Sequence, residues 1–126
     1  MRVSLKIDPD SHDLPSSLPR DVRNAINATK AHIYFGYSLY PDPKKKYKGK
    51  TWYVYRKGSD IHTDEESYKV VFRQAHFECN CKEQQENPSS LCIHIWLVLL
   101  NYEIPDKFSV YFLVNPELLD YIELSK

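Results

Sequence analysis

Apolar and polar positions change period several times along this chain, and the changes mark its elements. Residues 3 to 7 (Val-Ser-Leu-Lys-Ile) alternate, the pattern of a half-buried strand. A loop rich in Asp, Ser and Pro follows. Ser17 then reads as an N-cap, with Pro19 in the first turn of a helix that runs to about Lys30. His32 to Tyr40 is aromatic and apolar and stops at Pro41-Asp42-Pro43, which predicts a strand ended by a turn. Thr51–Arg56 and Ser67–Arg73 are rich in β-branched and aromatic residues. They flank the polar stretch Lys57 to Glu66 and predict an antiparallel hairpin with a long connection. His76–Cys79 predicts another short strand, and Lys82 to Pro88 a polar loop.

Ser89-Ser90 reads as the cap of an apolar helix from Leu91 to about Tyr102, ended before Pro105. Phe108 to Val114 predicts a last strand. Asn115-Pro116-Glu117 opens a short terminal helix with Leu118, Leu119 and Ile122 on one face. Strands and helices mix without regular βαβ alternation. The expected class is therefore α+β, a small antiparallel sheet with a ββα unit and flanking helices.

Composition narrows this without redirecting it. At 126 residues, 42% hydrophobic, with ten Tyr, five Phe and two Trp, the chain predicts a single globular domain over 1–126. Its formal net charge is zero, so only local charge can point to a partner. The amino terminus lacks the apolar run of a signal peptide. The longest purely apolar stretch, Ile95 to Leu100, is far below the roughly 20 residues that cross a bilayer. These features predict a soluble intracellular protein, cytoplasmic or, in a eukaryote, nuclear, with no membrane partner.

The chemistry concentrates in one window. Cys79-X-Cys81, ten residues and Cys92-X-His94 place all three cysteines and one of five histidines within 16 residues, as paired doublets. A disulfide between cysteines one residue apart is strained, and an odd cysteine count argues against a disulfide framework. Structural zinc takes four ligands at tetrahedral corners and favours thiolate and imidazole. A doublet leaving a strand and a doublet at a helix start can meet at one point across a ten-residue loop. The helix-start N–H groups at Leu91 to Ile93 are expected to face the anionic sulfurs. Three thiolates on Zn²⁺ leave a net charge of −1, so nearby donors, chiefly backbone amides, should matter. The competing reading is three buried reduced cysteines and a core histidine. Four paired ligands at this spacing favour one structural Zn²⁺ on Cys79, Cys81, Cys92 and His94.

Those residues carry a family resemblance. Cys-X-Cys…Cys-X-His after a strand pair, with an apolar helix continuing from the histidine, resembles the SWIM-type zinc finger. The resemblance spans about 51–102 and includes Trp52-Tyr53-Val54-Tyr55, Tyr68-Lys69-Val70-Val71-Phe72, the four ligands and Ile95-Trp96-Leu97-Val98-Leu99. It implies a ββα finger that binds DNA or protein, of the kind found in transposases, remodelling-type ATPases, ubiquitin ligases and recombination-accessory proteins.

Local charge adds a candidate interface. Lys44, Lys45, Lys46, Lys48 and Lys50 surround Tyr47, with Arg56 and Lys57 just beyond. Lysines release counterions from phosphate, and Tyr47 offers a face on which an unpaired base can stack. A solvated loop that keeps a sheet edge soluble explains the same lysines. Residues 74–92 carry a net −2 and residues 103–126 a net −3, so nucleic acid would approach from the 44–57 side. The polar run with Asp60, Asp64, Glu65 and Glu66 reads as a solvated loop rather than a Mg²⁺ site. His76 lies three residues before Cys79, but strand alternation turns it off the metal face.

Nothing predicts an enzyme or a small-molecule substrate. Cys₃His fills all four zinc positions, a deaminase Cys-X-X-Cys is absent, and no phosphate loop or nucleophile elbow occurs. Two functions remain. One is a zinc-finger protein that binds nucleic acid, DNA rather than RNA, as an accessory to recombination, transposition or transcription. The other is a protein–protein adaptor, in a DNA-processing complex, whose zinc is purely structural.

Overall fold

Main-chain pairing in the computed structural model, which describes residues 1–30, 37–41, 50–56 and 67–125, gives two antiparallel sheets. The larger contains β2 (Tyr37–Pro41), β3 (Lys50–Arg56), β4 (Ser67–Arg73) and β5 (His76–Cys79), in that spatial order. The smaller pairs β1 (Arg2–Leu5) with β6 (Ile122–Ser125), so the two ends of the described chain lie side by side. Among the described residues four α-helices join them: α1 (Arg20–Lys30), α2 (Lys82–Glu86), α3 (Ile93–Asn101) and α4 (Ser109–Val114). The class is α+β. Among the described residues no helix is long and apolar enough to cross a membrane.

Alternation makes the large sheet one-sided. Trp52 and Val54 on β3, Val70 and Phe72 on β4, and Phe77 and Cys79 on β5 are buried, while Arg73, His76 and Glu78 lie partly or fully in solvent. Register places Trp52 beside Val70, and Val70 beside Cys79, so Cys79 ends the buried row. The β4–β5 turn uses Gln74 (φ 52°) and Ala75 (φ 64°), the two positive φ angles a two-residue hairpin needs to match strand twist.

Against this sheet lies α3, whose Ile95, Trp96, Leu97, Val98 and Leu99 are all fully buried. A helix apolar on every side has neighbours on every side. α3 has the large sheet on one flank, and α1 and β1 on others. Val22, Ala25, Ile26 and Ala28 of α1 join the same core, as do Phe108, Phe112, Leu118 and Ile122 from the end of the chain.

Several expectations change. Phe108–Val114 is not a strand: Asp106–Phe108 forms a 3-10 turn that continues into α4. Burial follows a helical step, with Phe108 and Phe112 inside and Val110 and Val114 outside, whereas a strand would hide all four or none. The expected terminal helix is a 3-10 turn, Pro116–Asp120, and Ile122 belongs to β6. There the chain gains main-chain bonds by pairing with β1. Lys82 to Pro88 is not all loop, since α2 occupies Lys82–Glu86. α1 starts at Arg20, three residues past Ser17, and α3 starts at Ile93 with Cys92 as its N-cap, so Ser89 and Ser90 do not cap it. β1 covers Arg2–Leu5 rather than 3–7.

Candidate metal centre

Two local events aim the cysteine and histidine side chains. β5 ends with Cys79 on the buried face. Asn80 holds that end in place, its N–H donating to the Lys69 carbonyl (3.3 Å) and its Oδ1 accepting from the Lys69 N–H (2.8 Å). The chain then turns at Cys81, in extended conformation, and enters α2. On the other side Cys92, also extended, starts α3, which places His94 in the first turn.

The result is a single cluster. One donor atom from each of Cys79, Cys81, Cys92 and His94 lies within 4.8 Å of every other, and all four residues are buried. No disulfide links the cysteines. His94 Nδ1 stands 3.8 Å from Cys79 Sγ and 3.9 Å from Cys92 Sγ. Around a tetrahedral zinc-like ion, with bonds of about 2.3 Å to sulfur and about 2.0 Å to nitrogen, neighbouring donors stand about 3.5–3.8 Å apart. The two His94–sulfur distances lie close to that spacing, and no pair of donors stands farther apart than 4.8 Å. His94 is held flat by Tyr68, whose ring stacks on the imidazole at 4.0 Å between centroids and 20° between planes.

Electrostatics set the three sulfurs apart from one another. Hydrogen bonds from the Cys79 and Cys92 thiols, in that order of weight, hold Cys81 far below the ordinary thiol range as the anionic member. Cys79 is pushed up to about 12, chiefly because it shares its proton with Cys81. Cys92 is pushed up as well, by its bonds to Cys79 and Cys81 and by burial. Three thiols at one point cannot all ionise without a cation, and a divalent ion removes that conflict. The described residues form a site able to hold one metal ion.

The surrounding donors differ from expectation. The N–H groups of Leu91 and Cys92 do not serve the sulfurs: Leu91 N–H donates to Asp21 Oδ1 (2.7 Å) and Cys92 N–H to Gln84 Oε1 (2.8 Å). The Gln84 amide does reach a sulfur, at 3.3 Å from Cys81 Sγ. Gln84, only 7% exposed, therefore ties the two doublets together, its backbone on Cys81 and its side chain on Cys92. Sequence reasoning passed over it as part of a polar loop. The signal was present: Cys81-X-X-Gln84 has the N-cap to N3 spacing of a capping box, with sulfur in place of the usual hydroxyl.

Asp21 was missed too; from α1 it holds the Leu91 N–H, one residue before Cys92. His76 is a surface residue, as alternation requires, facing Glu78 Oε1 at 3.1 Å. Hydrogen bonds from His76 and Arg73 hold the Glu78 carboxyl below its usual range. Of the proposed phosphate-binding residues, Lys44, Lys45, Lys46, Tyr47, Lys48 and Lys57 lie outside the described residues, as do Asp60, Asp64, Glu65 and Glu66. Lys50 and Arg56 begin and end β3, with backbones opposite Phe72 and Tyr37 respectively. No protein-family model, curated protein or solved structure matches this chain.

Proposed function

We propose that the chain holds one structural Zn²⁺ on Cys79, Cys81, Cys92 and His94, and that residues 51–102 act as a SWIM-type finger in a non-enzymatic nucleic-acid-binding protein. The observation that carries this reading is the convergence of four soft, buried donor atoms within 4.8 Å of one another. Zinc favours this donor set over harder cations, and Cys₃His leaves no coordination position for water. An antiparallel β4–β5 pair leading into Cys-X-Cys, and an apolar helix leaving Cys-X-His, supply the order of elements the resemblance implies. The lysines at 44, 45, 46, 48, 50 and 57, with Tyr47 and Arg56, supply the phosphate-facing charge, and the acidic 103–126 segment faces away from such a partner in sign. An accessory role in recombination, transposition or transcription fits a finger whose Cys₃His set fills its zinc.

A salt titration tests the nucleic-acid part. Binding to single- or double-stranded DNA should weaken steeply with added salt, and replacing Lys44, Lys45 and Lys46 by Ala should lower the slope of log K against log salt by about 2–3. Failure of the zinc-loaded protein to bind DNA or RNA at low salt would refute it. One observation favours the second reading, a protein–protein adaptor. Val110, Leu113 and Val114 on α4 are 59%, 70% and 71% exposed, a small apolar face of the kind that docks on another protein.

A further inference from the structure

We infer that α1, which lies outside the finger segment, is part of the metal centre, with Asp21 and Asn24 as positioning residues for the Cys92–His94 doublet. This rests on the metal-binding reading above and adds residues to it that no ligand motif contains.

Leu91, the residue before the Cys92 ligand, is clamped at both ends of its backbone by α1. Its N–H donates to Asp21 Oδ1 at 2.7 Å, and its carbonyl accepts from Asn24 Nδ2 at 2.8 Å. Ser90 Oγ donates to the same Asp21 oxygen at 3.0 Å. The second carboxylate oxygen accepts from Tyr111 Oη at 2.7 Å, which fixes the Asp21 side chain against α4. Arg20 adds an exposed ion pair to Glu83 on α2, at 3.5 Å.

These contacts add to the Gln84 bond that holds the Cys92 N–H. Cys92 is an N-cap with no side-chain capping bond, so its own side chain does not fix where α3 begins. A small rotation at Leu91 would swing both Cys92 Sγ and His94 Nδ1 off the point where Cys79 and Cys81 wait. Asp21 and Asn24 sit three apart on α1, on one helix face, and together specify both position and rotation of the Leu91 peptide units. Charge-assisted bonds from a carboxylate to a backbone N–H are among the stronger in proteins, which suits a clamp. Asp21 and Asn24 touch no ligand atom. They act by placing the chain that carries two of them, as partners behind metal ligands commonly do.

The test is zinc affinity of the full chain, measured by competition with a chromophoric chelator, with the Co²⁺ absorption spectrum recorded in parallel. Asp21→Ala should weaken zinc binding about 10–100-fold and distort the tetrahedral Co²⁺ bands. Asp21→Asn keeps an oxygen for the Leu91 N–H and should recover most of that loss. Tyr111→Phe removes only the bond to the far oxygen and should stay within about threefold of wild type. If Asp21→Ala does not fold, Asn24→Ala, which spares Asp21, should still lower affinity at least about fivefold. A purely structural role for Asp21 would destabilise the zinc-loaded and chelated proteins equally, leaving affinity unchanged. Zinc affinity and Co²⁺ bands equal to wild type in Asn24→Ala, and in Asp21→Ala where it folds, would overturn the inference. Absence of zinc binding by the wild type would instead overturn the reading beneath it.

Discussion

Replacing Gln84 by Ala isolates the link between the two halves of the metal site. The backbone N–H that donates to Cys81 Sγ survives the substitution, while the Oε1 acceptor for Cys92 N–H is lost. Cys92 is 1% exposed, so no water replaces that acceptor. A buried amide left unpaired costs about 1–3 kcal/mol. The bond from Gln84 Nε2 to the Pro88 carbonyl is long, at 3.5 Å, and adds little. A loss of about 2 kcal/mol, at roughly 3–5 °C per kcal/mol for a chain of this size, lowers Tm by about 6–10 °C. Differential scanning calorimetry of zinc-loaded protein reads this directly. Gln84→Glu separates hydrogen bonding from charge: it keeps an oxygen for Cys92 N–H but sets an anion beside a centre that Zn²⁺ on three thiolates would leave at −1. Its zinc affinity should fall in low salt and recover partly as salt screens the repulsion. A Tm for Gln84→Ala within about 2 °C of wild type would show that Gln84 does not join the doublets.

Three further outcomes follow from other parts of the molecule. Gln74 and Ala75 both hold positive φ, each at a cost of about 1 kcal/mol, so Gln74→Asn with Ala75→Gly should add about 1–2 kcal/mol of stability, read as a higher urea midpoint; an unchanged midpoint would mean the turn is unstrained. Burial, and then the bond to Asp21, push the Tyr111 hydroxyl well above its ordinary value of 10.0. A folded value raised above the unfolded one gives stability that is full below pH 10 and is lost as pH rises beyond it. Wild type should therefore lose stability faster than Tyr111→Phe in alkaline denaturation, and parallel curves would count against the buried bond. Finally, Cys92→Ser or strong chelation should unfold at least residues 74–102, because structural zinc contributes on the order of 10 kcal/mol to folding; unchanged far-UV dichroism and melting after verified metal removal would contradict this.

What could be read from the chain and what could not divide along a physical line. The four donor residues are legible because each doublet is local and its chemistry is specific: sulfur and imidazole at this spacing have few other uses. The β3–β4 pair and the buried α3 are legible because their hydrophobic patterns are long and unambiguous. Phe108–Val114 is neither. A short apolar run fits both periods, and only the seating of Phe108 and Phe112 against Phe72, Phe77 and Trp96 decides for a helix. β6 depends on β1, more than a hundred residues away, which no local pattern reveals. Asp21 is hidden for the same reason: its partners Ser90, Leu91 and Tyr111 are 69 to 90 residues distant. Gln84 is the exception, since its capping-box spacing was in plain view. It stands in a run whose polar hydropathy predicts a loop, although a buried glutamine is stable once its amide is bonded.

The metal content of the purified full-length protein bears most directly on the whole reading. Elemental analysis combined with zinc-edge X-ray absorption should give one zinc per chain, with three sulfurs at about 2.3 Å and one nitrogen at about 2.0 Å in its shell. A folded protein with no stoichiometric metal, or with zinc surrounded by oxygen and nitrogen alone, would show that Cys79, Cys81, Cys92 and His94 meet for some other reason.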